Sequence, residues 1–175
     1  MKLVCGGILL LLTMPLAAQH EQHMNSPAGT PQAEMQHHAF LDAEREAIAR
    51  GEGFGMAMAA DKNGYPGPKH VLDMRKELHL TPAQEAAMQK LMATMKENAL
   101  AKGKDVLLAE KRLEELFAQG KSEDELREET YRVASLRAEL RWVHLSTHLV
   151  AKKILTAQQL ATYQKMRHGE GMKAQ

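Results

Sequence analysis

Two copies of one pattern, Leu80-Thr81-Pro82-Ala83-Gln84 and Leu155-Thr156-Ala157-Gln158-Gln159, fix where helices in this chain begin. Each reads Leu-Thr-x-x-Gln. The Thr hydroxyl accepts from an orphan amide of the first turn, and the Gln three residues on reaches back to the Thr backbone, closing a capping box. Pro82 stands at the first helical position, where its missing N–H costs nothing. Leu155 and Leu160 occupy the two positions of a hydrophobic staple.

Between the boxes the chain reads as two long helices. The first runs over 82–118 and ends at Gly120, a C′ glycine. Its apolar residues fall in heptad rows, Met88, Met95, Ala109 and Leu116 in one, Met92, Ala99, Val106 and Leu113 in the other. Lys102 and Gly103 interrupt the seam, which predicts a bend or weak point. Ser122-Glu123-Asp124-Glu125 is a third capping box and opens a return helix over 123–154. Its main stripe is Leu126, Val133, Leu136, Leu140, Val143, Val150 and Ile154. A second row, Tyr131, Ala138, Trp142, Leu145 and Leu149, lies on another side and needs a partner of its own. The short Gly120-Lys121 link predicts that the two helices pack antiparallel. A shorter helix over 69–78 and a last one over 157–167 flank them, and no alternating strand pattern occurs. The expected fold is all-α: an antiparallel long helical hairpin with short flanking helices.

The two boxes in a small helical chain resemble the Spy/CpxP (LTxxQ) group of periplasmic proteins, with its ZraP-like and CnrX-like metal-resistance relatives. The resemblance covers about residues 65–167. It implies a helical hairpin that dimerises as a cradle and holds unfolded envelope proteins without ATP, or modulates a membrane stress sensor. The alternative it carries is a periplasmic sensor or buffer for Cu, Zn, Ni or Co. Tyr131, Trp142, Leu145 and Leu149 are the expected dimer or client surface, with Arg127, Arg132, Arg137 and Arg141 steering polar segments.

Export is also written at the start. Lys2 precedes an apolar run at 3–12, too short to anchor in a bilayer, and Pro15-Leu16-Ala17-Ala18 reads as a cleavage site. The expected organisation is a signal peptide at 1–18, a disordered lead at 19–38, a short helical arm and loop at 39–64, the hairpin domain at 65–168 and a tail at 169–175. The sole cysteine, Cys5, falls in the signal peptide, so the mature chain has no disulfide. Lys and Arg number 23 against 22 for Asp and Glu, a balance that argues against nucleic acid or an anionic membrane as the main partner, and no stable membrane insertion is expected after signal cleavage.

Candidate chemistry is confined to metal ligands. His144 and His148 are four apart on one helix, so both rings project from one face. The resemblance implies a His-x-x-x-Met or similar pair on this helix, matched here by His144 with His148 at the second position. A third ligand is expected from Glu44, Glu46 or a partner's histidine. The lead carries His20, His23, Met24, Met35, His37 and His38; imidazole with thioether suits copper, and imidazole alone zinc, nickel or cobalt. The lead lacks the amino-terminal His-x-x-x-His pair that the metal sensors use. Gly51-Glu52-Gly53-Phe54-Gly55 follows a helix and lacks a trailing Lys-Ser/Thr, so it reads as a loop and not as a phosphate cradle. No nucleophile stands beside a base, and the expectation is a protein without enzymatic activity.

Overall fold

Capping chemistry sets most of the helix ends. The computed structural model describes residues 30–168, in the order α1 (Pro31–Ala49), α2 (Met58–Asp61), α3 (Pro68–Asp73), α4 (Pro82–Ala118), α5 (Glu123–Ile154) and α6 (Ala157–His168). The chain is all-α, with no strand among the described residues. The expected signal peptide with Cys5, the lead residues His20, His23 and Met24, and the tail lie outside the described residues. No helix among those described is long and apolar enough to cross a membrane.

The chain divides into two units, Met1–Ala39 and Phe40–Gln175, with α1 crossing the boundary. In the first, the described residues are exposed helical turns carrying His37 and His38. Helix α1 thus starts eight residues earlier than expected, inside what the sequence assigned to a disordered lead. The signal is local: the Ala33 N–H donates to Thr30 Oγ1 at 3.3 Å, Pro31 follows the cap, and Glu34 stands in the first turn.

In the second unit α4 and α5 pack lengthwise and antiparallel, with Lys102 meeting Glu139 and Glu110 meeting Arg137 across the seam. Met88, Ala99, Val106, Ala109 and Leu116 of the heptad rows are buried, as are Val133 and Leu140 opposite them. Helix α4 ends in a Schellman motif: the Lys121 N–H donates to the Leu116 carbonyl at 3.1 Å and the Gly120 N–H to that of Phe117 at 3.0 Å, with Gly120 at φ 63°. Gly103 does not break α4. A Cβ there would sit 2.8 Å from the Ile48 carbonyl oxygen, so the missing side chain lets the C-terminal end of α1 dock on mid-α4. The helix expected over 69–78 is shorter. It stops at Asp73 and gives way to turns ending at His79, which takes φ 47° where the Leu80 N–H donates to the Arg75 carbonyl.

The two Leu-Thr-x-x-Gln boxes meet. Each Thr hydroxyl accepts from its own Gln backbone N–H at 3.2 Å, and each Gln Oε1 accepts from its own Thr N–H at 3.0–3.1 Å. Gln84 Nε2 also donates to Gln159 Oε1 at 2.8 Å and to the Ile154 carbonyl at 3.0 Å. Gln159 Nε2 returns the bond to Gln84 Oε1 at 3.0 Å and donates to the Leu78 carbonyl at 3.1 Å. Both amides are thereby saturated, and the start of α4, the end of α5, the start of α6 and the turn after α3 are tied at one point.

Gln84→Ala strips the Thr81 N–H and the Ile154 carbonyl of a partner, and a part-buried group left so costs about 1–3 kcal/mol. Gln159→Ala is expected to cost about the same. The double variant costs less than the two together, by a coupling of about 0.5–3 kcal/mol. Urea unfolding checks this; strictly additive losses would mean that each amide only caps its own helix.

Candidate functional site

Helix α5 buries a third face that neither apolar row accounts for: His144, Thr147, His148 and Ala151, spaced as one helical stripe. Ala151 packs into the cluster of Val71, Leu78, Met88 and Tyr163, and two glycine-bearing loops cover the histidines. A Cβ on Gly53 would stand 3.2 Å from His144 Nδ1, and one on Gly67 would stand 3.1 Å from His148 Cε1 and 3.4 Å from its Nε2. The loop 51–55 reaches α5 because α1 ends at Gly51 in a left-handed turn. The second loop is held by Tyr65, whose carbonyl faces His148 Nδ1 at 3.0 Å and whose ring lies under Lys152 Nζ at 4.3 Å.

A carbonyl only accepts, so Nδ1 of His148 carries a proton, and in the neutral ring the lone pair is on Nε2, beside Gly67. The same Gly67 position is 3.6 Å from His70 Nδ1. A third imidazole, from α3, therefore meets the helix pair across a residue with no side chain. His70 Nδ1 and His144 Nε2 are both buried and without a hydrogen-bond partner. The nearest carboxylate to His70, Asp61, is 3.7 Å away and is engaged by Arg167 at 3.0 and 3.1 Å. Burial holds the His144 pKa below the ordinary imidazole value, and the adjacent His148 lowers it further. Burial also lowers His70, with Arg167 adding to the effect and Asp61 opposing it. Both rings are thus neutral at neutral pH, the state that offers a lone pair to a metal.

The rings open on a cavity of about 630 Å³, whose other walls include Met92 and Met95 of α4 and the side chains of Arg50, Glu52, Lys69 and Lys96. Among the described residues no three His, Cys, Asp or Glu side chains converge closely enough to hold an ion as they stand. The orphaned ring nitrogens, the Tyr65-bound His148 and the space left by Gly67 are the features here that could hold a metal.

The sequence-predicted residues divide clearly. His144 and His148 come together on one buried face, with 6% and 9% exposure. The third ligands expected from α1 are elsewhere: Glu44 accepts from Arg137 at 3.1 Å, and Glu46 pairs with Arg50. His37 and His38 belong to the N-terminal unit. His70 was missed, since it reads only as part of a core helix; its signal would have been its position three residues past the Gly67 turn. Tyr131, Trp142 and Leu149 are 69%, 58% and 40% exposed, and Leu145 is half-buried. The expected steering arginines are largely occupied within the chain. Arg127 pairs with Glu123 and Asp124, Arg132 with Glu129, Arg137 with Glu110 and Glu44, and Arg141 donates to the Met56 carbonyl. Comparison with protein-family models, curated proteins and solved structures gives no match for this chain.

The depressed imidazoles carry a pH signature. The unfolded chain binds more protons at these positions than the folded one, so stability is full above the ordinary imidazole pKa of about 6.5 and falls as pH drops below it. The melting temperature at about pH 5 is expected to lie below that at about pH 7.5, and His144→Asn to flatten the difference. Equal slopes in the variant and the parent would place the proton uptake elsewhere.

Proposed function

We propose that this chain is an exported, periplasmic metal-responsive protein that takes one ion in the groove between α3, α4 and α5 and catalyses no reaction. The observation that carries the reading is the meeting of His70 and His148 across Gly67, with the His148 tautomer set by the Tyr65 carbonyl. A ligand histidine is commonly oriented in this way, by a carbonyl on its second nitrogen. His144, one turn before His148, supplies a further imidazole. His20, His23, Met24, His37 and His38 of the lead are a secondary, weaker trap. No cofactor is required for folding; the ion is the signal or the cargo, from the group Cu, Zn, Ni and Co.

Titration with these metals is expected to raise the melting temperature of the intact protein, by about 2.7 kcal/mol of stability at a hundredfold excess over Kd. His70→Ala, His144→Ala and His148→Ala each reduce the shift, while Glu44→Gln does not. Deletion of residues 19–30 leaves it in place. Loss of the shift on that deletion alone would move the binding to the lead.

A second reading, capture of unfolded envelope proteins in the Spy/CpxP manner or contact with a membrane sensor, is favoured by the exposed row of Tyr131, Trp142 and Leu149. Large apolar side chains in a line on one helix are suited to a protein partner, another copy of this chain included. Trp142→Ser with Leu149→Ser is expected to lower suppression of client aggregation without metal, leaving the unfolding free energy within about 1 kcal/mol of parent, about 0.5 kcal/mol for each exposed substitution. Unchanged suppression in a well-folded variant counts against this surface.

A further inference from the structure

The groove's donors differ in kind from those of a site for a divalent ion. We infer that its ion is cuprous copper, bound by the thioethers of Met92 and Met95 together with one or two imidazoles of the set His70, His144 and His148. The inference rests on the metal-binding reading above and names its ion.

Three observations carry it. First, the groove supplies no free anionic donor. Glu52, the carboxylate on its wall, is gripped by Arg50 through two bonds of 3.0 and 3.2 Å, and Asp61 behind His70 is gripped by Arg167 in the same way. Second, the donors left over are neutral: of the cations on the wall, Arg50 and Lys69 are already paired with Glu46, Glu52 and Asp73, so no carboxylate is spare to offset an entering charge. A divalent ion entering there gives up its hydration for neutral ligands with no free anion beside it, whereas a monovalent ion brings half the charge. Third, the nitrogen and oxygen donors alone fall short, because no three His, Cys, Asp or Glu groups converge among the described residues.

The methionines fill that gap. Met92 and Met95 are three apart on α4, on one side of the helix, and the antiparallel register sets them level with His148 and His144 on α5. Met95 also packs against the Ile48, Val106 and Leu140 cluster, as a core methionine would. Met92 is 36% exposed at the groove and has no such duty, so packing does not explain a thioether there. Soft thioether with imidazole is the donor set that selects copper(I), a closed-shell ion content with few ligands. Silver(I) shares this preference without redox chemistry and serves as a second probe.

The test is competitive titration of the exported full-length protein with copper(I) under anaerobic conditions, silver(I), zinc, cobalt and nickel. A background variant with His20, His23, His37 and His38 changed to Gln and Met24 and Met35 to Leu silences the lead. Copper(I) and silver(I) are expected to bind tightest. The double variant Met92→Leu with Met95→Leu keeps side-chain volume and is expected to fold. It should weaken both monovalent ions by more than about tenfold, the lower end of what losing even an outer partner costs, and change zinc affinity less than about twofold. Copper X-ray absorption should show a sulfur neighbour that disappears in that variant. Tighter binding of zinc, cobalt or nickel, lost in His148→Ala, would overturn the copper assignment and leave the metal reading standing. No binding of any of the five ions would overturn both.

Discussion

Two glutamine side chains, each closing the cap of its own helix, are hydrogen-bonded to each other, and the rest of the second unit takes its register from that contact. Because Gln84 reaches the last carbonyl of α5 and Gln159 the carbonyl of Leu78, four chain segments are fixed at one end of the α4–α5 pair. From that point the heptad rows run without an insertion, so Met92 and Met95 come level with His148 and His144. An amide has two donors and two acceptor positions; here all are used, which makes the pairing specific as well as favourable.

The helices were legible because their signals are local. Thr81, Ser122 and Thr156 announce starts, Gly120 announces a stop, and the Met88 to Leu116 row announces the buried side of α4. The pairing of the two boxes was not legible, because a capping box is satisfied within four residues and nothing in its sequence says that the amide has bonds to spare. The site was half legible. The i, i+4 spacing of His144 and His148 gave the shared face, but what covers it depends on where loops 51–55 and 64–67 come to lie. Those loops read as breakers because glycine marks both a turn and a close approach of backbone to side chain. At Gly53 and Gly67 the second meaning applies: the imidazoles occupy the space a Cβ would need.

Burying His144 and His70 with a nitrogen unpartnered works against folding, by about 1–3 kcal/mol for each such group. An apolar residue at either position would pack without that cost. A chain whose capping, heptads and turns otherwise agree departs from the pattern here, and departures of this kind gather where a site needs a lone pair held ready. The same logic separates Arg137. Its charge is met by two carboxylates, Glu110 at 2.6 Å and Glu44 at 3.1 Å, which pin the C-terminal part of α1 to the helix pair.

Helix α5 therefore presents three sides with three environments. Leu140 packs with Ala99 and Val106 of α4, His144 and His148 face the glycine loops, and Trp142 and Leu149 face solvent. The last two sides are not insulated from each other. Met95 and Thr147 line the histidine groove on one side and a smaller cleft with Trp142 and Val143 on the other. Close-packed side chains shift in discrete rotamer steps, so a rearrangement of Met95 on one side alters the wall of the other. An ion drawn to that thioether and a protein partner resting on Trp142 would act through the same methionine, which ties the two proposed surfaces to one residue of α4.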